Sequence, residues 1–289
     1  MLPKGVAQSF WQTVKAGAEK AAAENNCEII WQGPAQDSDT NQQKTIVEAQ
    51  IASKVDAIML AACNTEALSS TVVKAQDAGI PVITFDSGIK PDTSVKYIAS
   101  DNVKGGAAAA DALAKQLGEA GGEVGLLPFI QGSVSSDERE KGFTDQLKSY
   151  PKIKLVVTLY SNSDVNTAQE KVNAMLTAHH GLKGIFAANQ NGGVGAAQAI
   201  KQKSLGGKVK LVCYDAGEEE IAALKSDLAQ ALIVQRPFEM GYQGVRACVD
   251  AIKTKTIRSN KTEFVDTGVT VVTKENFNDP AIQTLLYPK

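Results

Sequence analysis

The chain has 289 residues, enough for two domains of ordinary size. Hydrophobic residues make up 43% of it and charged residues 21%, which is typical of a globular protein and argues against a disordered or membrane-spanning chain. The formal net charge is −2, from 30 basic and 32 acidic residues. This balance excludes nucleic acid or an anionic membrane surface as the expected main partner.

Strands and helices are predicted to alternate along the whole chain. Short runs rich in Val, Ile and Leu lack polar alternation, as strands do when both faces of a sheet are covered. Repeated strand–helix–strand units imply parallel sheets with right-handed crossovers. The predicted strands are 28–31, 57–60, 82–85, 95–99, 124–127, 155–159, 184–187, 210–214, 231–234 and 269–273.

Helices with an apolar stripe are predicted at 10–25, 40–53, 65–78 and 240–255. Thr65 and Asp164 have the residue type of helix N-caps. Gly79, followed by Ile80 and Pro81, is a typical C-terminal stop.

One short pattern occurs twice. Residues 82–88 read VITFDSG and residues 211–217 read LVCYDAG, so an apolar strand ends in an aromatic residue, Asp, a small residue and Gly. Ligands of open α/β sheets bind outside the carboxyl ends of the strands. We therefore expect Asp86 and Asp215 to face one ligand from opposite lobes, an arrangement that suits a small polyhydroxylated molecule.

The duplication also divides the chain into lobes. We expect an N-terminal lobe of 1–103 plus 237–264 and a C-terminal lobe of 104–236 plus 265–289, with a ligand cleft between them. The crossings near 102–104, 234–237 and 264–266 would act as a hinge.

Nothing in the sequence indicates an enzyme. Catalytic and nucleotide-binding motifs are absent, and the glycine-rich run 191–195 lacks the order of a dinucleotide fingerprint. The two histidines, His179 and His180, are adjacent before Gly181 and read as exposed helix-end residues. We expect no catalytic residue, no cofactor and no metal site.

The four cysteines lack metal-site spacing. Cys63 and Cys213 follow or lie in apolar strands and are predicted to be buried free thiols. A disulfide is the alternative.

Several motifs, taken in order, carry a family resemblance. Phe10-Trp11 opens the first helix before the run KAGA at 15–18, and GIPVITFD occupies 79–86. ASDN at 99–102, REKGF at 139–143, LTAH at 176–179 and finally Asp215 follow. With these motifs the chain resembles the periplasmic sugar-binding proteins of ABC importers, in the ribose/allose-binding branch. The resemblance covers nearly the whole chain.

The resemblance implies a type I periplasmic-binding-protein fold. This is an α/β fold with two similar doubly wound parallel-sheet domains joined by a three-segment hinge. It also implies roles for matching positions. Lys4 and Gln8 match polar ligands in the first loop, and Phe10 and Trp11 match an aromatic clamp on the sugar ring. The hydroxyl acceptors and donors of the family are matched by Asp86, Arg139, Asn189, Asp215 and Gln235.

Four positions depart from the ribose-binding pattern. Ser87 stands where an Arg is expected, Ala61 where an Asn is expected, Ser163 where an aromatic residue is expected and Gln8 where an Asn is expected. The pocket should then be roomier, and a hexose or a polyol is expected rather than ribose. Ser87 is kept among the ligand-binding candidates. Asn64, Gln190 and Asn191 are candidates for compensating contacts.

Simpler interpretations stay open for most of these residues. Phe10 or Trp11 could belong to a helix core, and Asp86 could form a turn before Gly88. The charged neighbours of Arg139 are typical of a solvated helix face. Gln235 could be a plain hinge residue, and Lys4 a surface lysine.

The predicted function is that of an extracytoplasmic solute-binding protein, which captures a monosaccharide or sugar alcohol and delivers it to an ABC permease. We expect a monomer in the periplasm or an equivalent compartment, with its signal peptide removed; a lipid anchor and a chemoreceptor or sensor partner are both compatible. The alternative is the effector-binding core of a LacI-type regulator. That alternative would require a basic DNA-binding segment before residue 1, and the net charge of the chain is not basic.

Overall fold

The computed structural model describes residues 1–287. These residues form two compact units. The first contains 1–100, 132–135 and 236–268, and the second contains 101–131, 136–235 and the described residues from 269 onward. None of the described helices is long and apolar enough to cross a membrane. The lobe limits predicted from the sequence stay a prediction, and the last two residues of the predicted C-terminal lobe lie outside the described residues.

Helices and strands alternate along most of the chain, as the hydrophobic pattern predicts. The helices are α1 Ser9–Asn25, α2 Thr40–Ala52, α3 Ser69–Asp77, α4 Asn102–Leu117, α5 Val134–Leu147, α6 Val165–Ala178, α7 Gln190–Gln202, α8 Glu218–Lys225, α9 Pro237–Thr254 and α10 Pro280–Gln283. The strands are β1 Ile58–Leu60, β2 Val82–Phe85, β3 Lys96–Ala99, β4 Gly122–Leu127, β5 Ile153–Thr158, β6 Leu182–Ala187, β7 Lys210–Tyr214, β8 Ala231–Val234, β9 Glu263–Asp266 and β10 Thr270–Val272. The exceptions to the alternation are α1 followed by α2, β2 followed by β3 and β9 followed by β10.

The first unit is built on a four-stranded parallel sheet with the order β1-β2-β3-β9. All residues of β1 and β2 are buried, because helices cover the sheet and leave no solvent-facing side for polar alternation. Leu2 forms a single parallel bridge with Leu60. This bridge brings the residues after Leu2 to the carboxyl end of β1.

The second unit is built on a six-stranded sheet with the order β10-β8-β7-β6-β4-β5. Neighbouring strands are parallel, except that the edge strand β10 runs antiparallel to β8. Phe129, Phe143, Phe186 and Tyr214 are the buried aromatic residues of its core, with the rings of Phe143 and Phe186 4.9 Å apart. The carboxyl ends of β6 and β7 are therefore held against a rigid interior.

The strand predictions are confirmed except at 28–31. That segment forms no strand ladder. Its hydrogen bonds to the first residue run from Met1 N to Ile30 O and from Gln32 N to Met1 O. One strand was missed. Residues 264–266, expected as a hinge, lie in β9 and pair with β3. The unit boundary follows Gly268, whose φ of 81° is in the left-handed region that glycine tolerates.

Local end signals are confirmed in two of three cases. Asp164 caps α6 by accepting from Thr167 N, and Gly79 follows α3 with φ 82°. The prediction that Thr65 caps a helix is wrong. The amide of Thr65 donates to Gly132 O, and α3 begins only at Ser69.

The cysteines match the free-thiol prediction. Cys63 and Cys213 are fully buried, and burial raises the pKa of both thiols above their usual range. All four cysteines are free in the structure, so the alternative of a disulfide is not formed.

Close packing of α1 against α9 depends on two glycines. A Cβ atom at Gly17 would collide with the carbonyl oxygen of Phe238, and one at Gly241 would collide with the carbonyl oxygen of Val14. Both obstacles are backbone atoms, which cannot turn away as a flexible side chain can. The backbones of the two helices therefore approach as closely as small residues permit.

We predict that Gly241→Ala destabilises the protein by about 1–3 kcal/mol, because the added methyl group forces α1 and α9 apart. The loss should appear although alanine favours a helix by about 1 kcal/mol over glycine. Urea unfolding followed by circular dichroism measures it. Lys253→Ala, at an exposed position of α9, is the control and should leave the midpoint nearly unchanged. A midpoint for Gly241→Ala equal to that of Lys253→Ala would contradict the packing argument.

Candidate functional site

The two aspartates of the repeated pattern share an unusual backbone geometry. Asp86 follows β2 with φ 55°, and Asp215 follows β7 with φ 92°. Each is only 3% exposed. Non-glycine residues in such conformations cost about 1–3 kcal/mol each, and they are concentrated at functional sites. The twin positions are thus alike in structure as well as in sequence.

In the first unit, Asp86 belongs to a buried polar cluster. Lys4 Nζ lies 2.6 Å from Asp86 Oδ2 and donates to Ser135 Oγ at 2.9 Å. The Ser133 hydroxyl lies 3.5 Å from that of Ser135 and 3.2 Å from that of Ser87. The interpretation of Lys4 as a surface lysine is wrong, because the Leu2–Leu60 bridge draws it under the strand ends, where it is 2% exposed.

A second polar cluster of the same unit holds the start of α1. Asp37 accepts from Trp11 Nε1 at 3.2 Å and from Gln8 Nε2 at 3.0 Å. Phe10 packs edge-on against Trp11 with 4.8 Å between ring centroids. Lys4 Nζ lies 5.8 Å from the Trp11 ring, so the two clusters of this unit adjoin. Both aromatic side chains are buried, and their role as a ligand clamp stays a prediction.

The sequence interpretation missed Asp37. It is a buried carboxylate that fixes two predicted ligand-contact residues at once. A signal for it was present in the printed sequence, because Asp37 and Asp39 stand two residues apart before α2. A helix has a single N-cap residue, and Asp39 takes that role for α2 by accepting from Gln42 N. The second aspartate, Asp37, was therefore available for another role.

In the second unit, donors surround Asp215. Gln235 Nε2 donates to Oδ1 at 2.7 Å, and the Tyr287 hydroxyl donates to the same oxygen at 2.9 Å. The backbone amide of Gln190 donates to Oδ2 at 3.1 Å. The structure therefore brings Gln235 together with Asp215, as expected if both belong to one site. Tyr287 was not among the sequence predictions.

Arg139 is buried beside this cluster and not on a solvated helix face. It is 2% exposed, and it donates from Nε to Asn102 Oδ1 and from Nη1 to Ala188 O, both at 2.8 Å. Its guanidinium carbon lies 3.7 Å from the centroid of the Tyr214 ring. Gly106 lets the backbones of α4 and α5 approach closely here, because a Cβ atom at Gly106 would collide with the carbonyl oxygen of Arg139.

Asn189 starts α7. Its side chain accepts from Gly192 N at 3.0 Å and donates to Ser163 Oγ at 2.8 Å. Ser163, one of the departures from the ribose pattern, thus serves as a polar neighbour of Asn189. Arg139 donates to the carbonyl oxygen of Ala188, and Asp215 accepts from the amide of Gln190. Asn189 lies between these two residues in the chain, so the candidate ligand-binding residues of the second unit are neighbours.

The residues suggested for compensating contacts are engaged in local structure. Asn64 Oδ1 accepts from the amides of Glu66 and Ala67, which is a turn-forming role. Asn191 donates to Ser163 O at 2.6 Å. Direct contact of any candidate with a ligand stays a prediction.

A buried acid, Glu220, lies behind Asp215. Its side chain is fully buried and accepts from Gly217 N at 3.0 Å through Oε2, whereas Oε1 has no hydrogen-bond partner among the described residues. Burial, and then the charge of Asp215, raise the pKa of Glu220 well above its usual range. Glu220 therefore holds its proton more tightly in the folded protein than in the unfolded chain.

We predict that Glu220→Gln stabilises the protein at pH 7–8 and that the gain disappears towards pH 4. The folded-state pKa is raised, so the acid binds its proton more tightly when folded. Its contribution is complete below the unfolded pKa of about 4.3 and is lost as pH rises above that value. Calorimetric melting of both proteins between pH 4 and 8 measures the difference. A gain that does not change with pH would refute the raised pKa of Glu220, and Glu219→Gln, at an exposed position of α8, is the control.

Comparisons with known proteins agree with this architecture. Residues 1–256 match the family described as "Periplasmic binding protein domain". A D-ribose/D-allose-binding protein of Pseudomonas aeruginosa is 29% identical over 281 residues, covering 94% of this chain and 88% of that protein.

Solved structures of similar proteins superpose on nearly the whole chain. An ABC transporter solute-binding protein from Agrobacterium vitis, bound to α-D-tagatopyranose, has 34% identity and a TM-score of 0.94, with 100% of this chain and 98% of that chain covered. A carbohydrate transporter solute-binding protein from Agrobacterium radiobacter, in complex with D-arabinose, has 32% identity and a TM-score of 0.92, with 99% and 97% covered. The α/β fold with parallel-sheet domains is thus that of type I periplasmic binding proteins, and the chain belongs to the periplasmic binding protein domain family.

Proposed function

We propose that the protein captures a monosaccharide or sugar alcohol outside the cytoplasm and delivers it to an ABC permease. The observation that carries the proposal is the pair of buried aspartates at strained strand ends, one in each unit, each within a cluster of polar side chains. Relatives of the same family have been crystallised with monosaccharides, which supports the same ligand class for this chain.

The groups in the two clusters suit the chemistry of a sugar. Carboxylates such as Asp86 and Asp215 accept short, strong hydrogen bonds from adjacent hydroxyls. The guanidinium of Arg139 is a rigid fork of donors, and the amide side chains of Asn189 and Gln235 both donate and accept. Aromatic rings supply flat faces for the C–H surfaces of a sugar ring. No covalent bond is made or broken in such binding.

Both clusters must contact the same ligand for capture to be coupled to closure. A ligand favours a closed conformation only through contacts that differ between the open and closed states. We therefore propose that the lobes predicted from the sequence close by bending at the chain crossings near 102–104 and 234–237. The third crossing is better placed at Gly268, since 264–266 are held in the β9 ladder.

The compartment and the partners follow from the family. A periplasmic location is the general property of these binding proteins, and the permease of an ABC importer is the general partner. We further propose a monomer, and a lipid anchor and a chemoreceptor or sensor partner stay compatible with it. The LacI-type alternative gains no support, because the relatives that match are named as transport binding proteins.

We predict that Asp86→Asn and Asp215→Asn each weaken sugar binding by roughly 2–3 kcal/mol, because a buried carboxylate acceptor is lost while the shape is kept. A thermal-shift screen of pentoses, hexoses and their alcohols identifies the ligand, and isothermal titration calorimetry then measures the affinity of each variant. Asp250→Asn, at an exposed position of α9, is the matched control and should bind as the unaltered protein does.

Two results would contradict the proposal. One is the absence of a melting shift with every carbohydrate tried. The other is unchanged affinity in either site variant, which would remove that aspartate and its cluster from the ligand site.

A further inference from the structure

The C-terminal tail returns to the carboxyl end of β7. After β10, the short helix α10 buries Ile282 against the unit. Five residues later, the backbone amide of Tyr287 donates to Ala216 O at 3.4 Å. The Tyr287 side chain is only 5% exposed, although it is close to the end of the chain. The tail therefore places a tyrosine beside one of the two repeated aspartates.

We propose that Tyr287 is a positioning residue of the ligand site, whose hydroxyl holds the carboxylate of Asp215 in the orientation that receives a ligand hydroxyl. This inference rests on the proposed function. It assigns a role to the C-terminal tail that neither the repeated pattern nor the family resemblance implies.

The geometry around Asp215 supports the assignment. The terminal torsion of an aspartate has a broad energy minimum, so the plane of its carboxylate is set by its hydrogen bonds. Two donors, Gln235 Nε2 and the Tyr287 hydroxyl, converge on Oδ1 at 2.7 and 2.9 Å. The Gln190 amide approaches Oδ2 at 3.1 Å. Removal of the Tyr287 hydroxyl takes away one of the donors that hold Oδ1 and makes it easier for the carboxylate to turn.

Tyrosine is also suited to keep its proton in this place. Burial, followed by the nearby charge of Asp215, raises the pKa of the Tyr287 phenol well above its usual range. Because the ordinary pKa of tyrosine is already about 10, the hydroxyl remains a donor at neutral pH. A donor to a charged acceptor makes a stronger hydrogen bond than one to a neutral acceptor.

Tyr287→Phe removes one oxygen and keeps the ring that fills the site. Tyr150→Phe is a matched control, because the Tyr150 hydroxyl also donates to an aspartate of the second unit, Asp111, at 2.7 Å on the exposed surface. Affinities of both variants are measured by titration calorimetry for the sugar found in the screen and for its epimers. Their melting temperatures are measured in parallel.

We expect Tyr287→Phe to weaken binding by about 5- to 30-fold, which lies within the coupling expected between residues of one hydrogen-bond network. The ratio of affinities among epimers should also change, because a turned carboxylate no longer matches the same hydroxyl. Tyr150→Phe should stay within about twofold of the unaltered protein. Unchanged affinities and epimer ratios in Tyr287→Phe would overturn the proposal. A lower melting temperature with unchanged binding would do the same, since the tail would then be only a structural anchor.

A second measurement on the ligand-free protein separates this proposal from the proposed function. In protein labelled with ¹³C at the aspartate carboxyl carbons, the Asp215 signal is identified by its loss in Asp215→Asn. We expect that signal to move in Tyr287→Phe and to stay in place in Tyr150→Phe. An unmoved signal would refute the positioning role. If no sugar binds to the unaltered protein, the proposed function fails, and this signal still decides whether Tyr287 orients Asp215.

Discussion

The burial of a carboxylate at the end of a parallel strand is the constraint on which the polar cluster of each unit depends. A buried charge is tolerated only when donors or an opposite charge surround it. The two units meet this requirement differently. Asp86 has a lysine at 2.6 Å, whereas Asp215 has an amide side chain, a phenol and a backbone amide.

The surrounding structure is arranged to supply those partners. In the first unit the Leu2–Leu60 bridge delivers Lys4 to the strand ends, and the segment 132–135 adds two serine hydroxyls to the same cluster. In the second unit the chain returns twice to the end of β7, once through β8 to Gln235 and once through the C-terminal tail to Tyr287. Elements distant in sequence are thus required at each aspartate.

The second unit buries two acids close together. Glu220 and Asp215 interact unfavourably when both are ionised, and Glu220 is the more deeply buried of the two, so the pKa of Glu220 is raised. Asp215 is the one that accepts hydrogen bonds from Gln235, Tyr287 and the Gln190 amide. Arg139 is buried beside this cluster. Its positive charge opposes the rise in the pKa of Tyr287, so the guanidinium contributes to the electrostatic field around Asp215.

The sequence by itself determined the alternation of strands and helices, the duplication and the two aspartates at strand ends, because these features depend on hydrophobic runs and on local turn chemistry. It also indicated the family through ordered motifs. Tertiary structure alone decided that Lys4 and Arg139 are buried, since the charged neighbours of Arg139 in sequence resemble a solvated surface and a lysine in the first loop resembles a surface residue. It also decided that Asp37 and Tyr287 join the clusters and that 264–266 form a strand. Each of these depends on a partner far away in the chain, and local patterns do not record such partners.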